Sequence, residues 1–301
     1  MHATDYKIPA ACALALTTFG CTALRPEGES AATLNQLPEI WACLASPPAP
    51  PSGTLPQVKY TTRVEDWNTH GALGPDLLIC VCSAADPVDL MKKPAPSCAQ
   101  PLGPTACITP NMPGTPNPNV TITLPGQDGF LIAFLTGTTL PDALYFNHIP
   151  TKDITADPPI RLISATVATN IAQSFQVMLK GDLAILVLRA YDCEGQPASG
   201  VYFTVSPSPA GIQPFTYVLG NPTIRNLLTD ASGQFGFANA APGNTVATAY
   251  LASPGRSFEE LTLITTGKMA PPASDTKIGD INIYNAAGSW ATLGDVRPYQ
   301  P

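Results

Sequence analysis

Residues 181–250 constrain the fold more than any other part of this chain, because their apolar runs are short and are stopped at close intervals by turn formers. The stretch opens as LAILVLRAYDCEGQPASGVYFTV and closes as LTDASGQFGFANAAPGNTVATAY. Residues 183–191 and 201–205 are rich in β-branched, aromatic and aliphatic side chains and read as strands, which leaves 192–200 as the turn between them. Thr229, Asp230, Ser232 and Gly233 supply the side-chain-to-backbone bonds and the positive φ of a tight reversal, after which Phe235 and Phe237 share one face. Pro242, Gly243 and Asn244 then turn the chain into Val246, Thr248 and Tyr250. A small antiparallel sandwich follows from this order, and no catalytic group is among the residues that define it.

Asp192, Gly195, Pro197, Gly200 and Val201, followed by Thr229, Asp230, Gly233, Phe235, Pro242 and Gly243, carry a resemblance to the carboxypeptidase regulatory-like domain, a prealbumin-like seven-stranded sandwich. It covers about a quarter of the chain. The resemblance implies a fold and says little about activity, because such modules usually accompany other domains.

Composition extends the all-β expectation to the rest. The chain has 34 prolines and 23 glycines in 301 residues, only 12% of residues are charged, and 45% are hydrophobic. That balance disfavours long helices, favours short strands with Pro-rich connections, and is too apolar for general disorder. A net charge of -7, with sparse and scattered Lys and Arg, lacks the basic footprint of a nucleic-acid binder. Eight cysteines beside three histidines suit an exported, oxidised protein better than a cytosolic metal binder.

At the N-terminus Lys7 precedes an apolar, small-residue run over 8–19, which closes on Gly20-Cys21. This resembles a bacterial lipoprotein signal, with residues 1–20 removed and Cys21 acylated. Thr18 stands where the lipobox usually has Leu, so a plain secretory signal cut near Ala15 is the alternative. Thr22 after the cysteine is compatible with sorting to a Gram-negative outer membrane. Residues 21–53 form a tether in which Trp41 and Cys43 mark a short anchored segment and SPPAPPSG over 46–53 is a semi-rigid spacer.

A first sandwich is expected over 54–150. Val58, Tyr60, Thr62 and Val64 alternate; so do Leu77, Ile79 and Val81; Val120, Ile122 and Leu124 precede a PGQDG turn and then Phe130, Ile132 and Phe134. The order of strands and turns parallels 181–250, which makes an internal duplication plausible; similar punctuation in any sandwich is the alternative. Residues 151–180 connect the halves through a short helix over 165–176, capped by Ser164, with Val167, Ala168, Ile171, Ala172 and Phe175 at helical spacing. The second sandwich occupies 181–266. Residues 267–301 form a C-terminal extension in which Ile278, Ile281, Ile283 and Tyr284 add an edge strand, and the last dozen residues read as a loosely held tail. The fold class is therefore all-β, two tandem prealbumin-like or Ig-like sandwiches joined by a short helical connector.

With Cys12 lost in the signal and Cys21 acylated, six cysteines remain, enough for three disulfides among fifteen pairings. Cys80 and Cys82 leave one face of one strand and each needs a partner elsewhere. Cys82 with Cys98 is expected first, because they flank an excursion that lacks a core of its own. Cys43 with Cys193 and Cys80 with Cys107 follow by elimination. Zinc is the rival for the C-x-C pair, against which stand its spacing and the lack of a nearby histidine.

The chain contains no zincin helix, nucleophile elbow or Walker loop, and His2, His70 and His148 are far apart. No catalytic residue, cofactor or metal is expected. The leading reading is a non-enzymatic, surface-anchored lipoprotein acting in adhesion, assembly or recognition, with the membrane reached through its lipid and a protein or polysaccharide as partner. One alternative is a carbohydrate-binding module that stacks sugars on Trp67 or Trp290. A remoter one is a metal-dependent enzyme like the intradiol dioxygenases, in which His70 and His148 would meet two tyrosines on iron. Asp66, Asp192 and Asp230 read as turn formers rather than calcium ligands, since no D-x-D-x-D cluster accompanies them.

Overall fold

The computed structural model describes residues 39–45, 55–66, 77–83, 107–108, 120–126, 129–135, 143–147, 153, 159–162, 172–173, 180, 183–218, 221–285 and 291–298. The first half contributes β1 (Leu55–Thr62), β2 (Val64–Asp66), β3 (Leu77–Ser83), β4 (Cys107–Ile108), β5 (Val120–Gly126), β6 (Gly129–Leu135), β7 (Ala143–Asn147) and β8 (Ile160–Leu162). The second half contributes β9 (Ala184–Ala190), β10 (Val201–Ser206), β11 (Gln213–Val218), β12 (Asn221–Thr223), β13 (Gln234–Ala240), β14 (Gly243–Leu251), β15 (Thr276–Asn285) and β16 (Ala291–Val296). A helix, α1 (Phe258–Thr265), and a 3-10 turn, Glu39–Ala45, complete the described elements. The fold is all-β, as the composition implies.

Nine strands form one sheet in the order β12-β11-β13-β9-β16-β7-β6-β3-β4, so a single sheet runs through both halves of the chain. Its centre is β16, which pairs in parallel with β7 on one side and β9 on the other. The loosely held tail expected for the last dozen residues is therefore overturned over 291–296, where every residue is buried. The expected edge strand is present as β15, at the end of the three-stranded sheet β10-β14-β15. The helix expected over 165–176 lies outside the described residues except for Ala172 and Gln173, which are helical.

Helix α1 is absent from the sequence expectations, yet it carries a capping box. The Ser257 side chain accepts from the Glu260 N–H, and the Glu260 carboxylate accepts from the Ser257 N–H. Leu261 and Ile264 on its buried face join the main core.

That core lies between the nine-stranded and three-stranded sheets. Leu186, Leu188, Phe235, Phe237 and Val296 face Val201, Phe203, Ala247, Ala249, Leu251 and Ile283, all buried. Register explains the apolar side: Phe235 stands opposite Leu188 and Phe237 opposite Leu186, so both rings share a face with the β9 leucines. Gly236 lies between them on the opposite face, where a Cβ would come 2.2 Å from the Phe215 ring; only glycine admits that ring. The turns match their residues. The Asp192 carboxylate accepts from the N–H groups of Glu194 and Gln196, both at 2.9 Å, and Asp230 accepts from the N–H of Ser232 at 2.9 Å. Gly233 closes the second turn at φ 67°, with the Ala190 carbonyl 2.5 Å from where a Cβ would stand.

Candidate functional site

Three constellations stand out among the described residues. The first is a covalent clasp. In the 3-10 turn Glu39–Ala45, Trp41 and Leu44 are buried in the core of the second half, and the Cys193 N–H donates to the Ile40 carbonyl at 3.0 Å. Cys43 is disulfide-bonded to Cys193 across 150 residues of sequence, with the Cα atoms 5.8 Å apart. The anchored segment expected around Trp41 is present, and its anchor is the turn that begins at Asp192.

The second lies on the face of the nine-stranded sheet turned away from the main core. Asp295 on β16 is the register partner of Arg189 on β9, which in turn faces Gln234 on β13. The Tyr191 hydroxyl donates to Asp295 Oδ2 at 2.9 Å, Arg189 donates to the Tyr191 oxygen at 3.2 Å, and Arg297 pairs with Asp295 at 3.6 Å while its guanidinium sits 3.5 Å over the Tyr191 ring. Arg189 also donates to the Pro159 carbonyl at 3.3 Å, which brings the start of β8 to this face. There Glu65 of β2, 3% exposed, pairs with Arg63 at 3.4 Å and with Arg161 at 3.7 Å. Burial, and then the neighbouring charge of Arg189, lower the pKa of Arg161, with Glu65 opposing. Cation, ring and carboxylate are arranged here to satisfy one another.

The third lies where α1 leaves and rejoins the sandwich. The Asp275 carboxylate accepts from the Tyr202 hydroxyl at 2.7 Å, from the Ser253 N–H at 2.9 Å, from the Ser253 hydroxyl, and from Arg256 at 3.0 and 3.2 Å. Arg256 also donates to Ser274 at 2.6 Å and Ser253 at 3.0 Å. Burial works against the Asp275 charge, but the bonds from Ser253, Tyr202 and Arg256 outweigh it and hold the carboxyl below its ordinary value. Burial, and then the bond to Asp275, push the Tyr202 phenol well above its usual range. A carboxylate stabilised as an anion is a weak base, so proximity to Ser253 does not make a nucleophile of that hydroxyl.

Of the residues singled out from sequence, Cys43 and Cys193 are brought together as expected. Cys80 and Cys82 lie on β3 and Cys107 on β4, where Cys80 is the register partner of Cys107. Cys21, Cys98, His2, His70, His148, Trp67 and Trp290 lie outside the described residues. Sequence reasoning missed Asp275, Arg256, Asp295 and Tyr191. Tyr191 and Asp295 are 104 residues apart, and no local pattern joins them.

No family model matches the chain, and no curated protein matches it. Among solved structures, a mutant of the shaft pilin SpaA from Lactobacillus rhamnosus GG aligns at 10% identity over 81% of this chain and 100% of that one, with a TM-score of 0.21. A Streptococcal ancillary pilin aligns at 10% identity over 82% of this chain and 70% of that one, also at 0.21. Scores this low carry no conclusion about fold or function, so the all-β class rests on the strands and their pairing. The resemblance to carboxypeptidase regulatory-like domains rests on its own residues.

Proposed function

We propose that this is an exported, non-enzymatic β-sandwich protein that works at the cell surface by adhesion, assembly or recognition, held there by a lipid on Cys21. The observation that carries the reading is the Cys43–Cys193 disulfide, because such bonds form and persist in oxidising compartments. It also gives the N-terminal tether a mechanical meaning. The segment that would follow the lipid is fastened covalently to the second sandwich, so tension from an anchor enters the core there without passing through residues 44–192. The partner would be a protein or a polysaccharide. The described charge clusters favour binding over catalysis, since their carboxylates are engaged by arginines, hydroxyls and backbone N–H groups within the fold. The division into a leader, a tether, two sandwiches joined over 151–180 and a C-terminal extension belongs to this reading, with β16 crossing between the halves.

Mass analysis of the N-terminal peptide tests the anchor: a diacylated or triacylated Cys21 is expected, and Cys21→Ser should move the protein from the membrane fraction to the medium or periplasm. A mature chain beginning elsewhere, with Cys21 absent or unmodified, would overturn it. The binding reading is tested by His70→Ala with His148→Ala, which should leave attachment of cells unchanged. Stoichiometric iron, with an activity lost on either substitution, would overturn it in favour of an enzyme.

A further inference from the structure

The pairing of β3 with β4 places two cysteines in direct opposition: Cys80 is the register partner of Cys107, and Ile79 that of Ile108. Residues opposed across an antiparallel pair have Cα atoms about 4.5–5.5 Å apart, depending on whether the site is hydrogen-bonded. Disulfides span Cα separations of about 4.4–6.8 Å, so a directly opposed pair falls inside the bonding range without backbone movement. Cys82 stands two residues along β3 from Cys80, and the register pairs Cys107 with Cys80, not with Cys82.

We infer that Cys80 and Cys107 form a disulfide that staples β4 to the end of the nine-stranded sheet, a link that does not depend on the lipid anchor. The chain already carries one disulfide, Cys43–Cys193, so it meets oxidising conditions. The two thiols give up two protons and two electrons to an oxidant of the disulfide class, which is reduced to its two thiols: the dithiol of a thiol oxidoreductase, or two molecules of glutathione. β4 has two residues and occupies the edge of its sheet, where few ladder hydrogen bonds hold it. A covalent bond there supplies what the ladder lacks. Where Cys12 leaves with the signal and Cys21 carries the lipid, as proposed above, the two disulfides Cys43–Cys193 and Cys80–Cys107 leave Cys82 and Cys98 for each other, nested within the larger loop.

The test is peptide mapping of the full-length exported protein, purified without reductant and alkylated, with backbone fragmentation between Cys80 and Cys82 to separate them. A fragment linking Cys80 to Cys107 is expected, with neither labelled before reduction and both labelled after it. The same linkage should persist in the Cys82→Ser, Cys98→Ser double variant, and the wild-type map decides the matter if that variant does not fold. Cys80 linked to Cys98, either thiol labelled before reduction, or zinc or copper(I) bound at stoichiometry and released with the thiols by a chelator would each overturn it.

Discussion

The two faces of the nine-stranded sheet near β9 are both buried, and they are buried by different chemistry. On one, Leu186, Leu188, Phe235, Phe237 and Val296 meet the second sheet as hydrocarbon. On the other, Arg189, Tyr191, Asp295 and Arg297 are joined by hydrogen bonds, an ion pair and stacking, beside the buried Gln234, Val187, Phe215, Tyr217 and Leu293. Alternation along a strand therefore identifies faces without saying which of them meets water. The difference also sets the response to mutation: the hydrocarbon face fails by cavity formation, and the polar face fails when a charge loses its partner.

The largest effect should come from removing what the faces share. Deleting residues 291–301 takes β16 from between β7 and β9 and removes Asp295 from one face and Val296 from the other. Loss of cooperative thermal unfolding is expected, with exposed apolar surface detected by dye binding. A truncated chain that still unfolds in one sharp transition would show that the halves close without β16.

Single substitutions then compare the faces. Phe237→Ala on the hydrocarbon face should cost about 3–5 kcal/mol in denaturant unfolding. Asp295→Ala should cost about 3 kcal/mol, because it leaves Arg297 and the Tyr191 hydroxyl without their carboxylate. If Asp295→Ala cost less than about 0.5 kcal/mol, a surface-like value, the polar face would be wetter than its burial implies. Gly236→Ala probes the contact between Phe215 and the sheet. Its Cβ would overlap a fully buried ring, so about 1–3 kcal/mol is expected.

The same contrast explains how much of the molecule was legible in its sequence. The turns at Asp192 and Asp230 were readable because their residues act on their own backbone. The strands containing Phe235, Phe237 and Leu77 to Val81 were readable from alternation. β16 was not: its sequence, ATLGDV, places Gly294 and Asp295 where strand propensity is poor, and only a long-range partner makes Asp295 acceptable inside. Helix α1 carries a local signal in Ser257 and Glu260, but it is short and set in a sequence whose pattern is otherwise β. Asp275 and Arg256 carry no signal at all, since their pairing is made by the return of the chain from α1 to β15.

The smallest expected effect concerns that returning segment and is read by pH. Donors hold the Asp275 carboxyl below its ordinary value in the folded protein, so the folded state prefers the ionised form more strongly than the unfolded chain does. Its contribution is then fully present above the unfolded value, about 3.9, and is lost as pH falls through the lower folded one. The midpoint of thermal unfolding should drop below about pH 4, and Asp275→Asn should flatten that slope while lowering stability at neutral pH, where the amide cannot answer Arg256. An unchanged acid slope in Asp275→Asn would place the acid sensitivity on other carboxylates and reduce Asp275 to a hydrogen-bond acceptor for the Ser253 backbone.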